Sequence, residues 1–346
     1  MPRALNLCAV VVLAACELTG DFSAADFYDA PLLRGESVNA MPVLGQPFEL
    51  RVSGDRLWVG DIALDPSLHM LDLGTVELLM SMARRGEGPG EFRGSPQVQV
   101  RPGDLDGAVW VFDRMLQRMT RFDPRAPLDD PLVISLAVGE GGNAYRAIWL
   151  TSDRILGVHA SDDSRFSLFS ATGARMRTVS GELLGPEDAS RTRRIRETVG
   201  GFVICPWPGR GFAIAYTRAG RIEYYNLAAQ LVRTADVPYA SNGFVPDADG
   251  ALVPNRERSY YRSCAVNEDR LYAAFSGRFD ANYADNPATP DRYASEFLHV
   301  FDWTGELQAV NRLEPAVHSI EISAEDSTML ATSLTTAEIY RFPLLP

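Results

Sequence analysis

A short strand-like pattern returns six times along this chain at intervals of about fifty residues, with no amphipathic helix between the copies. The clearest copies are Arg56-Leu57-Trp58-Val59-Gly60-Asp61 and Ala108-Val109-Trp110-Val111-Phe112-Asp113; the others are Arg154 to Val158, Gly211 to Tyr216, Arg270 to Phe275 and Ser327 to Thr332. Each of the first five is followed by a second alternating run and, after a turn, by a third, as in Phe166 to Phe169, the turn Ala171-Thr172-Gly173, and Arg175 to Val179. Runs of about five residues between Gly- and Asp-bearing turns read as antiparallel strands. Their repetition predicts an all-β fold, a six-bladed β-propeller of four-stranded antiparallel blades. The sixth unit, with Ile320 to Ser323, Met329 to Leu334 and Glu338 to Phe342, is one strand short. An N-terminal strand near Val38 to Leu44 is expected to complete this last blade, because closing the ring removes two free sheet edges.

The first residues carry a different signal. Arg3 precedes the apolar run Ala4 to Val12, and Leu13-Ala14-Ala15-Cys16 follows. A charged start, a short apolar core and small residues before the cut form an export signal, and the run is too short to span a bilayer as a helix. The last four residues resemble the bacterial lipoprotein signal Leu-[Ala/Ser]-[Ala/Gly]-Cys. That resemblance implies acylation of Cys16 and anchorage in a membrane of the bacterial envelope. Glu17 stands where an inner-membrane retention signal has Asp, which directs the expectation to the outer membrane in a two-membrane host. The expected organisation is residues 1–15 as signal, 16–37 as lipidated N-terminus and linker, and 38–346 as the propeller.

Charge narrows the partners. The formal charge of −12 excludes a nucleic-acid-binding face, which needs excess basic residues. All 33 basic residues are Arg, so Schiff-base chemistry at a lysine is excluded as well. With Cys8 in the signal and Cys16 at the lipid site, Cys205 and Cys264 remain, in an oxidising compartment. They sit eight residues before the matched positions Ala213 and Tyr272, which places both on innermost strands of adjacent blades; a disulfide and two free thiols both stay open. Neither Cys-x-x-Cys nor a paired His occurs, so no metal site is expected and no cofactor is predicted.

A family resemblance rests on two stretches. Arg85-Gly86-Glu87-Gly88-Pro89-Gly90-Glu91-Phe92 and Leu298-His299-Val300-Phe301-Asp302-Trp303-Thr304-Gly305-Glu306 are similar to the Gly-x-Gly-Pro-Gly-Glu-Phe and Val-Phe-Asp-Trp-Asp-Gly signatures of the TolB-like six-bladed propeller lipoproteins of bacteria. Leu271 to Arg278 is similar to a third family segment, and Thr304 departs from the usual Asp. The resemblance implies a fold and an envelope location and brings no activity with it.

Several groups are candidates for binding. The loop around Gly86, Gly88 and Gly90, with Arg85, Glu91 and Phe92, could contact a ligand, or could be a blade-to-blade turn in which Glu91 pairs with Arg85 and Phe92 plugs the groove. Asp61 and Asp113, the latter followed by Arg114, end matched strands and could form an acidic ring or cap turns. Arg194 lies in the densest basic cluster, with Arg191, Arg193 and Arg196, suited to an anion or to local acids. The connection from Arg278 to Ser295 is rich in Asp and Asn and permits calcium, without the spacing of an EF-hand.

No nucleophile elbow or zinc-protease motif is present, and catalytic residues are unknown. The functional expectation is a lipid-anchored binding or scaffold module for a protein or glycan partner at the cell envelope. The competing expectation, a metal-dependent lactonase or lyase, rests on fold analogy alone.

Overall fold

The computed structural model describes residues 29–38, 44–104, 106–126, 131–137, 143–159, 164–181, 201–237, 244–246, 250, 252–254, 260–276, 294–323 and 328–344. Among them there is no helix, and the strands form six blades and one separate two-stranded hairpin, Phe244–Pro246 with Leu252–Pro254. The chain is an all-β six-bladed propeller. Each recurring sequence copy is the second strand of its blade: Arg56–Asp61, Val109–Asp113, Arg154–Val158, Gly211–Tyr216, Arg270–Phe275 and Thr328–Ser333. The innermost strands are Pro47–Ser53, Gln97–Gln99, Arg146–Thr151, Phe202–Trp207, Tyr261–Val266 and Ser319–Ser323. Each of these contacts the next, and the last returns to the first, so the ring is closed.

Burial explains why the second strands carry the signal. A blade's inner half is covered on both faces by its neighbours, so strands there are apolar on both sides rather than alternating. Val109–Asp113 and Gly211–Tyr216 are buried at every position. Outermost strands keep one face in water: Arg175–Val179 has no buried residue and Leu231–Asp236 has one.

Closure differs in detail from the expectation. The fourth strand of blade 6 is Glu36–Ser37, antiparallel to Tyr340 and Arg341, and the Val38 amide extends the ladder to the Ile339 carbonyl at 2.9 Å. It lies just upstream of the predicted Val38 to Leu44, of which 39–43 are outside the described residues. The polar pair Glu36-Ser37 shows no strand pattern because both residues are exposed on the ring's rim. Pairing begins earlier still, where Leu32–Arg34 runs parallel to Arg312–Glu314 on the outside of blade 5, inside the segment read as linker. The N-terminal segment thus spans two blades.

A polar or covalent link stitches every junction between blades. The Glu49 carboxylate accepts from the Val98 amide at 2.6 Å, joining blades 1 and 2. Gln99 binds the Ala147 carbonyl and the Trp149 amide of blade 3. Arg165 and Glu223 join blades 3 and 4. Cys205 and Cys264 form a disulfide between blades 4 and 5, with a Cα separation of 5.8 Å. The Ser263 hydroxyl accepts from the Ile320 amide at 3.0 Å, and Glu321 pairs with Arg51 at 3.2 Å to return from blade 6 to blade 1.

Candidate functional site

Strand direction alternates within a blade, so the turns after second strands and the blade-to-blade connections share one face of the ring. Both ends of the three longest segments between blade strands, those between Val179 and Phe202, Asp236 and Tyr261, and Phe275 and Ser295, are on that face. On the opposite face the turns are tight, as between Ser53 and Arg56, Thr151 and Arg154, and Trp207 and Gly211. Long connections over a rigid scaffold are where binding groups are carried.

The axial channel opens on this same face. A cavity of about 50 Å³ lies among residues at or near the starts of innermost strands: Phe48, Glu49 and Arg51 of blade 1, Arg146 of blade 3, Val203 of blade 4, Arg262 and Cys264 of blade 5, and His318 and Ser319 leading into blade 6. Three guanidiniums, Arg51, Arg146 and Arg262, surround it in a protein of formal charge −12. Arg146 reaches the Glu49 carboxylate at 3.4 Å, and Arg51 reaches Glu321 at 3.2 Å while donating to its neighbour's carbonyl at Leu50. Burial pushes the Glu321 carboxyl above its ordinary pKa, opposed by Arg51 and the Val52 amide and reinforced by the Glu49 charge. The His318 ring lies 4.6 Å from that of Phe48 at the mouth.

The two channel carboxylates are therefore committed to guanidiniums and backbone amides. Among the described residues no group of three or more His, Cys, Asp or Glu is placed to hold a metal ion. Innermost-strand guanidiniums were not among the sequence candidates, because Arg51, Arg146 and Arg262 stand in strand edges that look like ordinary alternation; only the channel geometry brings them together.

The sequence candidates take other places. Asp61 and Asp113 are fully buried and serve matching structural roles rather than an acidic ring. Asp61 accepts from the amides of Gly45, Gln46, Ala63 and Leu64, and Asp113 from those of Arg93, Met115 and Leu116. Each carboxylate thus ties the turn after its own strand to the segment entering its blade. Phe92, 2% exposed, fills the groove between blades 1 and 2 beside Phe122 and is no contact residue. Glu91 does not pair with Arg85 in the geometry found; it turns inward to accept from the Gly88 amide at 2.8 Å, and a Cβ at Gly86 would meet its oxygen at 2.0 Å. Arg85 uses its backbone, donating to Asp65 at 3.2 Å. Arg118, unnoticed in the sequence, clamps the loop by donating to the carbonyls of Glu87, Gly88 and Glu91 at 2.9, 2.6 and 2.6 Å. Arg114 is exposed on the long-connection face, stacked over Tyr145 at 4.9 Å, with exposed Met115 beside it.

Cys205 lies opposite Ala213, whereas Cys264 lies opposite Ala273, one residue beyond the matched Tyr272. The two hairpins thus differ in register by one residue. Cys16, Arg194 and its cluster, and residues 278–293 of the Asp- and Asn-rich connection lie outside the described residues.

The model of the TolB-like six-blade propeller-like family matches residues 28–325. No curated protein matches the chain. Among solved structures, a Bacteroides fragilis protein described as exported superposes with a TM-score of 0.54 at 11% identity, over 93% of this chain and 96% of its own. The β-propeller domain of Myceliophteria thermophila Cps50 (Swd1) gives 0.48 at 12% identity, over 90% and 99%.

Proposed function

The chain belongs to the TolB-like six-blade propeller family, and from that premise we propose that it is an exported, lipid-anchored binding module of the bacterial envelope. Its ligand face is the long-connection face, and its partner is a protein or glycan that presents an anionic group to the channel mouth. One observation carries this reading: Arg51, Arg146 and Arg262 converge at the axis of an acidic protein, on the face that also carries the long connections. Guanidiniums recognise carboxylate and phosphate oxygens with geometric specificity, and a narrow low-dielectric mouth strengthens the attraction. The rest of the ring is stitched at each junction, so the face is held rigid for binding. Export is supported by the signal at residues 1–16 and agrees with the description of the B. fragilis neighbour; the lipobox at Cys16 supports the anchor.

Photo-crosslinking in the native envelope tests the reading. A photoreactive residue replacing Met115, exposed on the long-connection face, is expected to capture a defined partner; one replacing Val232, exposed on the outer strand of blade 4, is not. Protease and periodate treatment of the adduct then separates protein from glycan. Equal capture from both positions, or none from Met115, contradicts the assignment of the face.

A further inference from the structure

The rim of a propeller presents the free edge of each blade's last strand, which is a template for pairing with another chain unless it is short, charged or covered. Five of the six blades blunt that edge. Blade 2 ends in the three-residue strand Val133–Ser135, Arg175 and Arg177 stand on the last strand of blade 3, and Arg233 and Asp236 stand on that of blade 4. The N-terminal segment deals with the other two: Leu32–Arg34 lies along the outside of blade 5, and the two-residue strand Glu36–Ser37 ends blade 6.

Blade 1 has none of these devices. Its last strand, Leu78-Leu79-Met80-Ser81-Met82, carries no charge; it pairs with Leu68–Asp72 on its inner side and, among the described residues, with no strand on its outer side. Leu78 is 39% and Leu79 46% exposed, which puts two adjacent large apolar side chains on the rim. Charge stands at the ends instead, with exposed Glu77 just before the strand and exposed Arg84 and Arg85 just after it. An apolar edge with opposite charges at its two ends is complementary to itself. An antiparallel second copy brings Glu77 of each chain to the Arg84–Arg85 end of the other, with the apolar residues between them.

We propose that the chain self-associates through this strand, the blade 1 edges of two copies pairing antiparallel so that one sheet continues across two rings. Such a two-fold contact uses the same patch on both copies, and its backbone bonds are those of strand addition. Five residues a side make a small contact, so the association is of the transient class. The innermost strands that line the channel lie at the other edge of each blade, and the contact leaves the channel mouth open in both copies.

The test is cysteine cross-linking of the full chain in a bacterial host. A short bis-maleimide should join Leu79→Cys chains into a dimer of twice the chain's mass, and should join Val232→Cys chains, exposed on the last strand of blade 4, far less. Adding Leu78→Lys to Leu79→Cys should reduce the dimer about tenfold, because a charge on an exposed edge opposes pairing, while thermal melting stays unchanged. Adding Glu77→Arg should reduce it about threefold, since like charges then face each other, and Glu77→Arg with Arg84→Glu should restore it. No dimer from Leu79→Cys, an equal yield from Val232→Cys, or an adduct of another mass in place of the dimer overturns the second copy as occupant. A dimer that survives Leu78→Lys undiminished, or a charge swap that fails to restore it, overturns the antiparallel edge pairing.

Discussion

The Arg165 guanidinium meets the Glu223 carboxylate at 2.8 Å with both side chains 2% exposed, at the seam between blades 3 and 4. Tyr216 and Tyr225 donate to the same carboxylate oxygen at 2.6 and 2.7 Å, and the rings of Phe166, Tyr216 and Tyr225 pack around the guanidinium. A buried pair of this kind is costly to break from one side, because the remaining charge stays dry. Glu223→Gln is expected to destabilise the ring by about 3–5 kcal/mol in urea unfolding. The double change Arg165→Met with Glu223→Leu should recover most of that loss. If the single variant costs under about 1 kcal/mol, the pair is not the seam's fastener.

The disulfide closes a segment of 59 residues, for which chain entropy predicts roughly 4 kcal/mol of stabilisation. Cys205→Ala with Cys264→Ala, compared with wild type in guanidinium, should lose an amount of that order. Unfolded, non-reduced protein carrying Cys16→Ser should show only the Cys8 thiol if the signal is retained, and none once it is removed. Two additional reactive thiols would contradict the bridge.

Arg118→Met removes three charge-assisted hydrogen bonds to the loop of residues 84–93. Amide exchange within that loop is expected to accelerate by tenfold or more, since bonds to a charged group contribute about 1.5–3 kcal/mol each. Exchange elsewhere in blades 1 and 2 should change little while Phe92 stays seated. Unchanged exchange at Gly88 and Glu91 would show that Arg118 does not hold the loop.

His299 is buried against Phe275, with ring centroids 4.3 Å apart, and its Nδ1 lies 3.1 Å from the Tyr261 hydroxyl. Burial pushes its pKa down to about 3 from 6.5, so the folded state holds it neutral. The stability it contributes is full above about pH 6.5 and is lost as pH falls toward 3, because the unfolded chain takes up the proton first. The slope from this group approaches about 1.4 kcal/mol per pH unit within that window. His299→Gln should flatten the stability profile between pH 6 and about 4 relative to wild type in matched unfolding series. Parallel profiles for the two proteins would place the acid sensitivity elsewhere.

How much of this was legible in the sequence depends on where each residue sits. Second strands such as Val109–Asp113 and Gly211–Tyr216 are covered on both faces, so burial demands unbroken apolar runs that announce themselves. Glu36-Ser37 closes the ring through backbone pairing and one exposed hydrogen bond, from the Ser37 hydroxyl to the Glu338 carboxylate at 3.2 Å, and two exposed polar residues leave no strand pattern in the sequence. Asp61 and Asp113 were found by their matching positions, but only the folded amides around them distinguish a cap from a ligand. The channel guanidiniums come from Arg51, Arg146 and Arg262, residues far apart in sequence whose convergence depends on ring closure. No local pattern could carry that.

Binding at the channel mouth is tested most directly by the affinity of the mature domain for the partner captured at Met115, compared between wild type, Arg146→Gln and Val232→Glu. Arg146→Gln is predicted to weaken binding at least tenfold, equivalent to about 1.4 kcal/mol, with reduced salt dependence. Val232→Glu, on the far rim, should bind as wild type. Full affinity in a folded Arg146→Gln variant, or a loss produced by Val232→Glu instead, would contradict the assignment of the axial face as the binding surface.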